Sequence, residues 1–156
     1  MKDQSKAKYL FLVFLLCWAC SLTACSYLTD FVVVNATNSP IEIRYLVKNQ
    51  TLPIKPAVLT VSQLHQQTMW RELTTSQYTF DPDNRWVVIS LMANEALRIE
   101  KCNLVDGEVD DVHQAARFFI EEIHITGSYG EIRLQGEQLR KAFVTETSKI
   151  HTLTYK

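Results

Sequence analysis

The sequence is poor in the residues that break chains and in those that staple them. It has four glycines and four prolines in 156 residues, and no internal repeat or low-complexity segment. That excludes a fibrous or linker-like chain. Of four cysteines, Cys17, Cys20 and Cys25 lie close to the start, and only Cys102 lies further on. A disulfide framework is therefore excluded, and Cys102 is read as a small buried hydrophobe. No charge sign dominates, with 16 Lys and Arg against 17 Asp and Glu. The longest apolar run, Tyr9-Leu-Phe-Leu-Val-Phe-Leu-Leu16, is shorter than the roughly 20 residues of a membrane-spanning helix.

Catalytic spacings are missing too. There is no G-x-S-x-G, H-E-x-x-H, G-x-G-x-x-G or P-loop pattern. Glu121 and Glu122 are adjacent, so on a strand they point to opposite faces and cannot share a proton. His65, His113, His124 and His151 show no metal-ligand spacing. The chain reads as non-catalytic, with no catalytic, cofactor or metal residues to name.

What is present at the start is an export leader. Lys2, Lys6 and Lys8 precede the apolar run, whose length suits a signal h-region of about 7 to 15 residues. Leu22-Thr23-Ala24-Cys25 follows it. Cys20 is preceded by bulky Trp18, and Cys17 lies just after the apolar run, so Cys25 has the best context. These four residues resemble the lipobox of bacterial lipoproteins. The resemblance implies cleavage before Cys25, diacylglyceryl transfer to its sulfur, and acylation of its new amino group. It further implies a cell-envelope protein, with Ser26 rather than Asp after the cysteine favouring the outer membrane. It covers the leader alone; the other reading is an ordinary secretory leader, or an uncleaved anchor, with Cys25 incidental.

Residues 1–24 are thus expected to be removed. They take three of the basic residues and one of the acidic, leaving 13 against 16. That mildly acidic remainder offers no footprint for nucleic acid and no polybasic patch for anionic lipid. Lipid on Cys25, rather than charge, would hold the protein to the membrane. Residues 25–30 read as the lipidated cysteine and a short tether, under about 20 Å when extended. Residues 31–156 read as one periplasmic β-rich domain.

Within that domain, Phe31-Val-Val-Val-Asn35 is β-branched and reads as a buried strand. Ile41, Ile43, Tyr45 and Val47 then alternate with more polar neighbours, a half-buried strand. Between them Ala36-Thr-Asn-Ser-Pro40 carries turn chemistry, so a hairpin is expected. Ser62 to Leu73 reads as a ragged short helix or a loop. Asp81-Pro-Asp-Asn84 is a turn between a short strand at 77–80 and a central one at 85–92. The chain then turns at 93–95 and returns through 96–102, with Leu97 and Ile99 inward. Further strands are expected at 117–126, 131–135, 142–147 and 149–155, with a helical or loop stretch at 137–141. Short strands at regular spacing predict a mainly β fold, an antiparallel β-sandwich-like domain. The alternative is α+β, a curled sheet with helices at 62–73 and 108–118.

Two constellations invite a site. Asp106, Glu108 and Asp110 match the first, third and fifth positions of a calcium loop. The sixth position, Asp111, should be Gly and the twelfth, Arg117, should be Glu, so a solvated acidic turn is the better reading. Trp70, Trp86, Tyr78 and Tyr129 offer a recognition surface, core packing being the competing use. Tyr129, at the tip of Gly127-Ser-Tyr-Gly130, is the best candidate for an exposed contact, with Trp70 second. The expectation is a lipid-anchored interaction or assembly module with an envelope protein partner. The alternative is a lipoprotein that binds a small molecule, glycan or metal.

Overall fold

The alternation along Ile41–Val47 sets one side of the core. In a computed structural model of the chain, which describes residues 26–52, 54–66, 70–105, 118–147 and 149–156, Ile41, Ile43, Tyr45 and Val47 are all buried. Glu42 and Arg44 between them face solvent or its margin. A strand with period two presents one apolar face, and that face must be covered.

Two sheets do the covering. The first runs β10 (Val144–Thr147), β11 (Ile150–Tyr155), β1 (Ser26–Asn35), β7 (Glu95–Val105), β3 (Ala57–Thr60), β4 (Arg71–Glu72). The second runs β5 (Tyr78–Asp81), β6 (Trp86–Leu91), β2 (Ile41–Val47), β8 (Ile120–Gly127), β9 (Gly130–Gln135). The main core packs Phe31, Val33, Leu97, Ile99 and Leu153 of one sheet with Ile43, Tyr45, Ile89, Ile123 and Ile125 of the other. The fold is mainly β and sandwich-like, as the strand pattern implies. Pairing is antiparallel except between the first and last strands, β1 and β11, which run parallel.

Two connections depart from the hairpins expected. β1 and β2 do not pair; they lie in different sheets. The same is true of β6 and β7. The reason lies in β1, which is apolar on both faces: Phe31 and Val33 enter the main core, while Val32 and Val34 join a second cluster. A strand buried on both faces belongs in the middle of a sheet, here between β11 and β7.

The second cluster lies on the outer face of the six-stranded sheet: Val32, Val34, Leu59, Leu64, Ala96 and Ile150, with Val61 and Trp70 packed against it. Its cover is a 3₁₀ turn, Val61–Gln66, followed after Trp70 by the two residues of β4. This replaces the helix considered over 62–73, of which 67–69 lie outside the described residues. The apolar spacing there serves one short turn and one tryptophan. Residues 108–117 of the helix considered at 108–118, and the acidic loop Asp106–Asp111, also lie outside the described residues, while Phe118 is buried in the main core. The only α-helix among the described residues is α1 (Gly136–Ala142), which turns Leu139 inward.

β1 starts at Ser26, opposite Val105 of β7. The stretch Ser26–Asp30, expected as a tether, is therefore paired strand, and Thr29 and Asp30 within it are buried. The β-branched run carries the strand, and its ladder extends upstream on the long β7. No described helix is long and apolar enough to cross a membrane.

Candidate functional site: an uncharged loop pole

The strands end together at one pole. There the loop Ala36–Pro40, the turn Met92–Asn94 and the hairpin tip Gly127–Gly130 meet the end of β11. None of these loop residues is charged, and the charges beside them are Glu95, whose carboxylate accepts from Met92 N–H at 3.1 Å, Glu131 and Lys156. The opposite pole carries Lys48, Arg85, Glu121 and Arg140.

Asn35 ties the first two loops together. Its side chain is fully buried, and Nδ2 donates to the carbonyl oxygens of Ser39 (2.9 Å), Met92 (2.9 Å) and Leu91 (3.3 Å). Its Oδ1 accepts from the backbone N–H (3.0 Å) and hydroxyl (2.7 Å) of Thr37. Asn94 N–H donates to the Asn35 carbonyl at 3.0 Å. This side chain makes the corner by which the chain leaves one sheet and enters the other. Five bonds from one buried amide leave little freedom at the corner.

Tyr155 ties in the third loop. Its hydroxyl donates to Gly130 O at 2.8 Å and accepts from Tyr129 N–H at 3.2 Å. The hairpin passes so close that a Cβ on Gly127 would lie 2.8 Å from Ile41 Cγ2 and 2.9 Å from the Tyr155 ring. Gly130 has φ +114°, a conformation open to glycine. Ser39 and Ser128 hydroxyls bridge the first and third loops at 2.9 Å.

On this bonded base stand two large side chains facing water, Tyr129 at 69 % exposure and Met92 at 57 %. Interfaces are enriched in Tyr and Met and depleted of charge at their centres. Loops of Tyr, Ser, Asn and Gly on a sandwich end are also the composition of antibody paratopes. Rigid presentation lowers the ordering cost of binding.

The other sequence candidates lie elsewhere. Trp70 is half-buried on the outer face of the six-stranded sheet, with the Arg98 guanidinium 5.1 Å over its ring. Arg98 Nη1 lies 3.9 Å from Asp30 Oδ1 beneath it. Burial pushes the Asp30 carboxyl up, against the pull of Arg98 and Lys101. Trp86 is half-buried and packs outward, with Arg44 over its ring at 5.4 Å and His124 edge-on at 5.2 Å. Tyr78 packs at the margin of the main core. Tyr129 and Trp70 therefore do not form one surface. Cys25 lies outside the described residues.

His124 and Glu122 pair at 2.8 Å, and Arg133 adds a second bond to the same carboxylate at 2.6 Å. These two bonds hold Glu122 below the usual carboxylate range. Glu121 lies 3.3 Å from Arg85 instead, at a register irregularity of β8 that interrupts the alternation between Ile120 and Glu122. Among the described residues no three His, Cys, Asp or Glu side chains converge as a metal site.

Sequence reasoning missed Glu100. Strict alternation from Ile99 would turn it outward, but a bulge opposite Phe31 and Val32 shifts the register of β7. Glu100 is consequently buried, 1 % exposed, and accepts the Cys102 thiol at 2.9 Å. Burial pushes its carboxyl up to about 7, against the bonds from Cys102 and Phe119 and the charge of Lys48. No signal in the sequence marks the bulge.

Comparison of the chain with protein-family models, with curated proteins and with solved structures finds no match.

Proposed function

We propose that this chain is a lipid-anchored cell-envelope protein, non-catalytic, whose uncharged loop pole docks a partner protein at the periplasmic face of the outer membrane. Cys25 would carry the lipid. The observation that carries the reading is the course of β1. It begins one residue after Cys25 and ends at Asn35, the hub of the loop pole. Ten residues at about 3.3 Å each put roughly 30 Å between the anchor and the pole. With Ser26 already paired, little flexible chain separates the lipid from the sheet. The domain would stand off the bilayer in a fixed attitude and offer Met92 and Tyr129 to a neighbour.

A photo-crosslinking residue placed at position 92 or 129 tests this in cells, with position 48 as the control at the other pole. One identified envelope protein captured from 92 and 129, and not from 48, is the expected result. No capture from either, or equal capture from 48, contradicts it. The alternative, a ligand-binding lipoprotein, is favoured by one observation, a cavity at the charged pole.

A further inference from the structure

We propose that this cavity, between Lys48 and Arg140, binds the phosphate group of a small ligand. It measures about 300 Å³ and is lined by Lys48, Phe118, Ile120, Glu121, Gly136 and Arg140. Three elements build it: the chain leaving β2, the entry to β8, and α1. Its volume is at the small end of the range for ligand pockets.

Its charges decide the class of ligand. Glu121, the one acid in the lining, is engaged by Arg85 at 3.3 Å. The buried Glu100 feels the charge of Lys48, but its oxygens are taken by the N–H of Phe119 and the thiol of Cys102. Lys48 and Arg140 form no ion pair among the described residues. Arg140 Nε is buried with no hydrogen-bond partner. Arg140 as a whole is half-buried, and its charge has no ion-pair partner among the described residues.

Two cations without an ion-pair partner among the described residues, on one small cavity, match a dianion better than a monoanion. The Arg fork and the Lys point charge are the usual pair of phosphate-binding side chains. Phe118 and Ile120 supply an apolar wall for the body of the ligand. A free phosphate monoester and the headgroup of phosphatidic acid share this chemistry. The site lies at the opposite pole from Tyr129 and does not depend on whether Cys25 carries lipid.

The test uses the full chain in neutral detergent, titrated calorimetrically with glycerol 3-phosphate and, separately, with a short-chain phosphatidic acid, whose headgroup is also a phosphate monoester. Saturable binding of at least one is expected, weakened about tenfold by Arg140→Gln, the order of one charge-assisted hydrogen bond. Lys48→Gln, at an exposed position, should weaken it by a similar factor, with the far-UV spectrum of the unliganded variant showing that it is folded. Binding of the first ligand alone marks a free phosphate ester, and of the second alone a headgroup. Saturation by neither, or binding unchanged in both variants, overturns the proposal.

Discussion

Glu100, on β7 of one sheet, takes the backbone N–H of Phe119, at the entry to β8 of the other, with both carboxylate oxygens at 2.9 and 3.0 Å. A buried carboxyl bridging two sheets is a titrating element in the core. Its pKa is raised from 4.5 to about 7. Between those values the folded protein keeps a proton that the unfolded chain has released. Stability therefore falls as pH rises through that window and is level above it. The window amounts to at most about 3 kcal/mol, at about 1.4 kcal/mol per pH unit. Glu100→Gln should flatten the profile, matching wild type near pH 4.5 and exceeding it at pH 8. Urea unfolding across that range reads both. A variant profile parallel to wild type would show that Glu100 does not titrate in this window.

Asn35→Ala should cost about 2–4 kcal/mol, because it strands buried carbonyl and N–H groups on two loops at once. The loss should appear in thermal unfolding, together with faster amide exchange at Thr37, whose N–H the side chain holds. A loss under about 0.5 kcal/mol, the range of ordinary surface changes, would mean that Asn35 does not hold the corner.

The hairpin tip gives a paired prediction. Tyr155→Phe removes only a hydroxyl and should cost about 1–2 kcal/mol, as a buried hydrogen bond does. Gly127→Ala forces a methyl against Ile41 and Tyr155 and should cost about 1–3 kcal/mol by overpacking. Because both act on Tyr155, the double variant should lose less than the sum. Strict additivity in denaturant unfolding would separate the two effects.

Tyr129→Ala and Met92→Ala should leave stability within about 0.5 kcal/mol, since both side chains stand in solvent. They should nonetheless weaken the association captured by crosslinking at the pole. Variants that destabilise the fold without touching the association would reverse the assignment.

Much of the strand content was legible because period-two patterns survive in a half-buried sheet. Ile41–Val47 and the hairpin of β8 with β9 follow it closely, and the exposure of Tyr129 follows from its place at a tip. Pairing was less legible. The turn residues Ala36–Pro40 signal a change of direction, yet the same residues serve a hairpin or a corner between sheets. Asn35 decides between them through carbonyls 56 and 57 residues away, contacts no local window contains. Trp86 was weighed as core, but Val87, Ile89 and Leu91 fill that face and leave the indole outside. Glu100 was invisible because a bulge adds one residue and inverts the alternation after it.

Lipid anchoring of this chain would depend on one atom, the sulfur of Cys25. Replacing it, Cys25→Ser, and following the chain by cell fractionation and intact mass is the most direct measurement. The wild-type chain should be found in the membrane fraction, starting at residue 25 and heavier by its acyl groups. The variant should lose that added mass and its processing before residue 25. A variant in the same fraction, with the same mass as wild type apart from the substituted atom, would contradict lipid anchoring at this position.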